Sequence, residues 1–251
     1  MTTVLRFLVI VASASAFAQS NEVILLGQYG GYDPDVHPGD RLLGIELYTK
    51  VSPAWKVFAG GAIQQRFGEQ DRSLGVGAYF IPDRQNSFFA NLQIGFSPVV
   101  IPGADISVEY TRALGQVMTA SLLYRYMGFH DATVHIVAPS TTLYAFPEWL
   151  LTAKVFLSNL VGSNTLTGSF LAQVWYEPSE TWSPGICYAV GNESYRAGAL
   201  ADVTTASSWS TSVGGKFRVS DSVRLRLSLE HVNRIGAYQL NTLFLAVTYG
   251  W

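Results

Sequence analysis

Four histidines, His37, His130, His135 and His231, are the natural general bases of this chain near neutral pH. Serines recur at alternate positions of several segments: Ser107, Ser121, Ser169, Ser210, Ser212 and Ser228. A serine nucleophile needs its base within hydrogen-bond reach and a third group to orient that base. No local motif marks such a set, and serines this frequent meet a histidine by chance, so no catalytic residue is assigned. Asp33, Asp35, His37 and Asp40 are ligands suited to a hard cation. Their setting is rich in Asp, Pro and Gly, and reads as a solvated turn. No metal or cofactor is expected. The single cysteine, Cys187, reads as a small apolar filler. The residue types with the most pattern are basic: Lys216, Arg218, Arg224 and Arg226 fall at alternate positions on two neighbouring segments.

Composition limits the elements able to hold these groups. Hydrophobic residues make up 49% of the 251 and charged residues only 14%, well below the usual quarter. The formal charge of −2 argues against a nucleic-acid partner. A helical membrane protein needs apolar runs of about 20 residues, and none occurs beyond the first 20 positions. A closed sheet with one face in lipid is apolar without long apolar runs.

Residues 1–18 read as a signal peptide. Arg6 is the positive end, Phe7 to Ala14 form a core too short to span a bilayer, and Ala16-Phe17-Ala18 is the cleavage pattern. The remaining residues, 19–251, are expected to form one domain.

That domain alternates with a period of two. Val223, Leu225, Leu227 and Leu229 interleave with Arg224, Arg226, Ser228 and Glu230. A helix would spread those leucines around its circumference, whereas a strand collects them on one side. The pattern predicts strands at 22–29, 41–51, 56–67, 72–81, 87–96, 104–113, 117–127, 132–144, 149–158, 164–176, 183–191, 207–218, 223–233 and 238–251. The fold class is therefore all-β: a transmembrane antiparallel up-and-down barrel of about 14 strands. Twelve is the alternative, since the first and eleventh segments are weakly patterned. Short links such as 51–54, 113–116, 145–148 and 219–222 fall at one end, and the longer links 30–40 and 192–206 at the other. In such barrels short turns face the periplasm and long loops the outside. Trp55, Phe80, Phe88, Phe89, Trp149, Trp175, Tyr176, Trp182 and Trp209 lie near strand ends, where interfacial girdles form.

Alternation places Lys56, Arg66, Arg125, Lys154, Lys216, Arg218, Arg224 and Arg226 inside, against the acids Glu46, Asp105, Glu109 and Glu230. A hairpin centred on Asp221 sets Arg218 opposite Arg224 and Lys216 opposite Arg226. Like charges directly opposite destabilise a sheet, so this quartet calls for acids across the lumen or a bound anion. On the last segment Leu243, Leu245, Val247, Tyr249 and Trp251 form one apolar face ending on the terminal aromatic. This looks like the signal read by the outer-membrane barrel assembly machinery.

The chain resembles the YaiO family of outer-membrane β-barrel proteins. The resemblance rests on Arg66-Phe-Gly-Glu-Gln-Asp71, Tyr124-Arg-Tyr-Met-Gly-Phe129, His135-Ile-Val-Ala-Pro-Ser-Thr-Thr-Leu-Tyr144, Gly191-Asn-Glu-Ser-Tyr195 and Leu229-Glu-His-Val-Asn233 through Trp251. It implies a barrel in the cell outer membrane, in contact with its lipid, and implies no enzymatic activity. Three readings of function stay open. The first is a narrow passive channel whose basic lumen mildly favours small anionic solutes. The second is a non-conducting structural or assembly partner of envelope or polysaccharide-export machinery. The third, a rim-located lipid hydrolase, has the least support.

Overall fold

A computed structural model describes residues 21–33, 39–146, 148–161, 165–192 and 207–251. The expected signal peptide lies outside the described residues, as do Asp35 and His37.

The described residues form fourteen antiparallel strands: β1 Asn21–Asp33, β2 Asp40–Lys50, β3 Trp55–Arg66, β4 Glu69–Phe80, β5 Asn86–Phe96, β6 Ala104–Ala113 and β7 Met118–Gly128, followed by β8 Thr133–Phe146, β9 Trp149–Val161, β10 Thr165–Tyr176, β11 Trp182–Gly191, β12 Ser208–Arg218, β13 Val223–Arg234 and β14 Tyr238–Gly250. Each pairs with its sequence neighbours, and β14 returns to β1 to close the barrel. The first and eleventh segments are both full members of the wall, so the count is fourteen and not twelve.

Exposure alternates along much of the wall, most cleanly on β1, β2 and β5. On β2 the residues Leu43, Ile45 and Leu47 are exposed while Leu42, Glu46 and Tyr48 are buried. A soluble protein would not leave Leu25, Leu43, Val76, Leu122, Ile186, Val213, Leu229 and Leu245 uncovered together. Lipid supplies the missing solvent for this face, and closure leaves no strand edge unpaired.

The hairpins carry the turn chemistry their residues permit. At one end Val51 N–H donates to Trp55 O at 3.0 Å, and Val219 N–H to Val223 O at 2.9 Å. The second contact makes Ser220-Asp221-Ser222 a three-residue loop and fixes Arg218 opposite Arg224 and Lys216 opposite Arg226. At the other end β3 and β4 are joined by only Phe67 (φ 54°) and Gly68 (φ 87°), the conformation of a type I′ turn. Here the expected longer gap before β4 is replaced by continued pairing of Gln65 with Gln70 and Arg66 with Glu69. Similarly β1 runs on to Asp33, so the first long link shrinks to 34–39.

Outward aromatics ring the end that carries the short turns. Trp55 stacks on Phe80 (4.6 Å between centroids), Phe80 on Phe88 (6.1 Å) and Phe88 on Tyr110 (4.9 Å), while Trp149, Tyr176 and Trp182 continue the series elsewhere on the rim. Two residues expected in the girdle, Phe89 and Trp175, point inward and are buried. Each sits next to the interface in sequence, but its parity is that of the inner face.

Candidate functional site in the barrel interior

The interior is more apolar than a polar-in rule suggests. Tyr48, Phe58, Tyr79 and Phe89 form a chain of ring contacts across β2 to β5, with Ile24, Leu26, Leu42 and Phe244 beside them. Gly77 makes this possible, because a Cβ there would lie 2.3 Å from Phe58 Cζ. A second cluster joins Leu123, Met127, Val134, Ile136 and Phe156 on β7 to β9. A third, of Tyr32, Val232, Tyr238 and Leu240, lies at the long-loop end and receives the Phe67 ring from the β3–β4 turn. That ring contact holds Phe67 in a backbone region that non-glycine residues seldom adopt.

Buried charges sit between these clusters in defined pairs. Glu22 accepts from Lys56 Nζ at 2.6 Å and from Arg224, tying β1 to β3 on one side and to β13 on the other. Arg125 donates through Nε (2.9 Å) and Nη2 (2.5 Å) to the two oxygens of Asp105, a bidentate pair between β6 and β7. Glu109 accepts from Ser121 at 2.7 Å and faces Lys154 at 3.8 Å. Glu46 accepts from the Tyr48 hydroxyl at 2.8 Å, and Glu230 lies on the inner face of β13 opposite Ser212.

Asp40, expected in a solvated turn, is fully buried on the inner face with Arg66 Nε at 3.9 Å. Asp33 is exposed on the opposite face of β1. The two acids therefore do not converge on one cation. The strand pattern places Asp40 inside because β2 begins at that residue.

The inner charge balance is also corrected. Alternation counted eight bases against four acids, but Glu22, Asp40 and Asp71 are buried inside as well, with Arg234 as one further base. The excess of positive charge falls to half. Glu22 was missed because the first segment is apolar on both faces, and Asp71 because pairing starts earlier on β4 than its pattern suggests.

Asp71 has its own task. Its carboxylate accepts the backbone N–H groups of Val99 (2.8 Å), Val100 (2.7 Å) and Ile101 (2.8 Å). This draws the 97–103 link over the inner face of β4 and β5 at the long-loop end, where Ile101 and Pro102 are buried. Gly95 accommodates the fold, since a Cβ there would stand 2.7 Å from the Pro102 carbonyl oxygen. Ser97 turns the chain inward with φ 48°. The link and the Phe67–Tyr238 cluster both fold inward at this mouth.

The basic quartet meets at the short-turn end, each member with its own neighbour. Lys216 reaches Glu177 at 3.0 Å, Arg218 reaches Glu180 (2.5 Å) and Asp221 (2.9 Å), and Arg224 reaches Glu22. Two of these acids come from the 177–181 link rather than from across the lumen. Arg226 differs: its guanidinium lies over Trp175 (5.8 Å) and Phe244 (6.0 Å), and its Nε and Nη2 make no hydrogen bond among the described residues. Lys216 Nζ lies 4.4 Å from the same Trp175 ring. Gly185 provides the bed for that indole, since a Cβ would meet it at 2.5 Å. Beside the quartet the inner wall of β12 and β13 carries the small residues Ser212, Gly214 and Ser228, all partly exposed inside the barrel, before Glu230 is reached.

The histidines occupy other places. His135 and His231 project outward, bonded to Tyr124 (2.7 Å) and Asn241 (2.8 Å). The inward serines thus stand on the opposite face of the wall from both strand histidines. His130 is exposed in the β7–β8 link beside Asp131.

The profile of the YaiO membrane beta barrel domain matches residues 20–196. The chain belongs to the YaiO family. The match takes in β1 to β11 of this YaiO-family barrel and the stretches quoted for the resemblance, save the closing hairpin from Leu229 to Trp251. No curated protein matches the chain. Among solved structures it is similar to a bacterial polysaccharide outer membrane secretin, with 12% identity over 93% of this chain and 99% of that one and a TM-score of 0.61. It is also similar to the CymD monoaromatic hydrocarbon channel (8% identity, 93% and 89% covered, TM-score 0.63) and to Omp33 of Acinetobacter baumannii (10%, 93% and 98%, 0.55). At such identities the likeness is one of fold. YaiO membership, with a closed barrel whose outer face is apolar, places the protein in the outer membrane.

Proposed function

We propose that this outer-membrane barrel is a narrow passive channel for small solutes, with mild preference for anions. Arg226 carries the reading. It is a cation inside the barrel whose Nε and Nη2 donate to no described group, and it stands directly opposite Lys216. In a low-dielectric wall such a charge is costly unless an anion or water meets it. The small, partly exposed Ser212, Gly214 and Ser228 beside it leave room for a wet path along β12 and β13. Solute passage is further supported by the existence of channels, such as that for monoaromatic hydrocarbons, with the same overall fold.

A second reading, a non-conducting partner of envelope or polysaccharide-export machinery, has one observation in its favour. Three apolar clusters fill much of the interior, and a barrel so filled needs no conductance. Planar-bilayer recording separates the two. A channel gives discrete steps and, under a salt gradient, a reversal potential on the anion side that moves toward neutral in Arg226→Gln. Closed records at every voltage would remove the channel.

A further inference from the structure

The outward face is almost free of charge. At outward positions of the fourteen strands the described charged residues are Asp33, Arg41, Arg72 and Arg112. Two of the three cations fall in one sector of the wall. Arg41 on β2 pairs with Gln65 on β3, Gln65 with Gln70 on β4, and Arg72 follows two residues further along β4 opposite Ile63. From strand spacing and rise, their Cα atoms are about 12 Å apart. Arginine side chains at that separation can converge on one group lying between them, with two glutamine amides beneath it as further donors.

Their height on the wall is set by the strands. Gln65 is ten residues above Trp55 and Arg72 is eight residues from Phe80, both of which belong to the aromatic belt at the short-turn end. With strands tilted by roughly 40°, that puts the pair about 20–25 Å above the belt, the far edge of the apolar band. Short turns face the periplasm, so this edge meets the outer leaflet. Aromatic neighbours share the level: the Arg41 guanidinium lies 5.7 Å over the Tyr29 ring, and Arg72 pairs with the exposed Phe96. Among the described residues neither arginine has an acidic partner.

We propose that Arg41 and Arg72, with Gln65 and Gln70, hold the phosphorylated headgroup of the glycolipid in the outer leaflet. The chemistry is a guanidinium pair closing on a phosphate, which accepts paired N–H donors at short range. A cation facing lipid is tolerated near the interface but not at mid-plane, and here the leaflet itself supplies the anion. Arg112, at the opposite end beside Asn86 and Ala120, lies level with inner-leaflet phospholipid and takes no part.

The test uses the full-length mature barrel, folded into detergent and exposed to lipid A with a chelator present to remove divalent bridges. Native mass spectrometry counts lipid A per barrel. The parent protein retains it, Arg41→Gln with Arg72→Gln lowers retention about tenfold, and Arg112→Gln leaves it unchanged. Equal retention in the double variant overturns the proposal, and so does an equal loss in Arg112→Gln. Full displacement by millimolar inorganic phosphate would assign the site to free phosphate and overturn the lipid. Heat-modified gel mobility verifies folding. On the parent barrel, dephosphorylated lipid A should compete poorly, and competition equal to that of the phosphorylated form would also refute it. The channel reading is independent, since a closed barrel retains the same outer face.

Discussion

The Asp71 carboxylate on β4 accepts the Ile101 amide at 2.8 Å, across a loop that turns back into the barrel. Two more amides, of Val99 and Val100, share that acid. The buried carboxylate and the folded link are therefore one unit. Asp71→Ala leaves three amides without their acceptor, and is expected to cost about 2–4 kcal/mol in urea unfolding from lipid vesicles. The loop then has nothing holding it against the inner wall, so single-channel conductance should rise. An unchanged midpoint and conductance would show that the loop holds its place without Asp71.

Glu22 is the acid shared by Lys56 and Arg224. Lys56 and Glu22 are both almost fully buried, while Arg224 is about one-third exposed and contributes less. Removing a shared acid takes away the carboxylate 2.6 Å from the buried Lys56 ammonium, so Glu22→Ala should destabilise by about 3–5 kcal/mol. Replacing both partners, Glu22→Leu with Lys56→Met, is expected to recover most of that loss. If the double variant is no more stable than Glu22→Ala, the pair is not the source of the cost.

Gly185 sits under the Trp175 indole, and a Cβ there would stand 2.5 Å from the ring. Gly185→Ala must push the indole off the wall toward Lys216 and Arg226, at a cost of about 1–3 kcal/mol. Near-ultraviolet circular dichroism should record the change in the tryptophan environment, and anion preference should alter with it. Identical spectra would mean that the ring has room the close contact denies.

Asp83, in the short link between β4 and β5, accepts from the Asn86 side chain and from the Gln85 and Asn86 amides. Its carboxyl is held below the ordinary aspartate value, first by the Asn86 side-chain hydrogen bond and then by the Gln85 amide. A carboxyl lowered in the folded state adds stability that is present above its unfolded value and is lost as pH falls through the folded one. NMR titration should find Asp83 protonating at lower pH than the same residue in Asn86→Ala. Coincident titration curves would refute the capping role.

The alternation of Val223 to Glu230 was enough to place that segment on a two-faced wall, because side-chain direction on a strand depends only on parity. Parity also set Lys216 opposite Arg226, since a three-residue loop leaves one register. The barrel was legible for the same reason, as a property of strand after strand, while the YaiO kinship was legible in particular stretches such as Arg66 to Asp71 and Tyr124 to Phe129. What parity could not reveal is which groups meet across the interior. Glu22 lies in a segment apolar on both faces, so nothing local marks it as the partner of Lys56 and Arg224, more than thirty and two hundred residues away. Likewise Asp71 lies on β4 and Ile101 in the link between β5 and β6, and Phe89 and Trp175 differ from girdle aromatics only in the face they occupy. Arg224 reaches Glu22 only because β14 closes on β1, and the other meetings follow from the pairing of neighbouring strands and the folding of a link, none of which parity within one segment encodes.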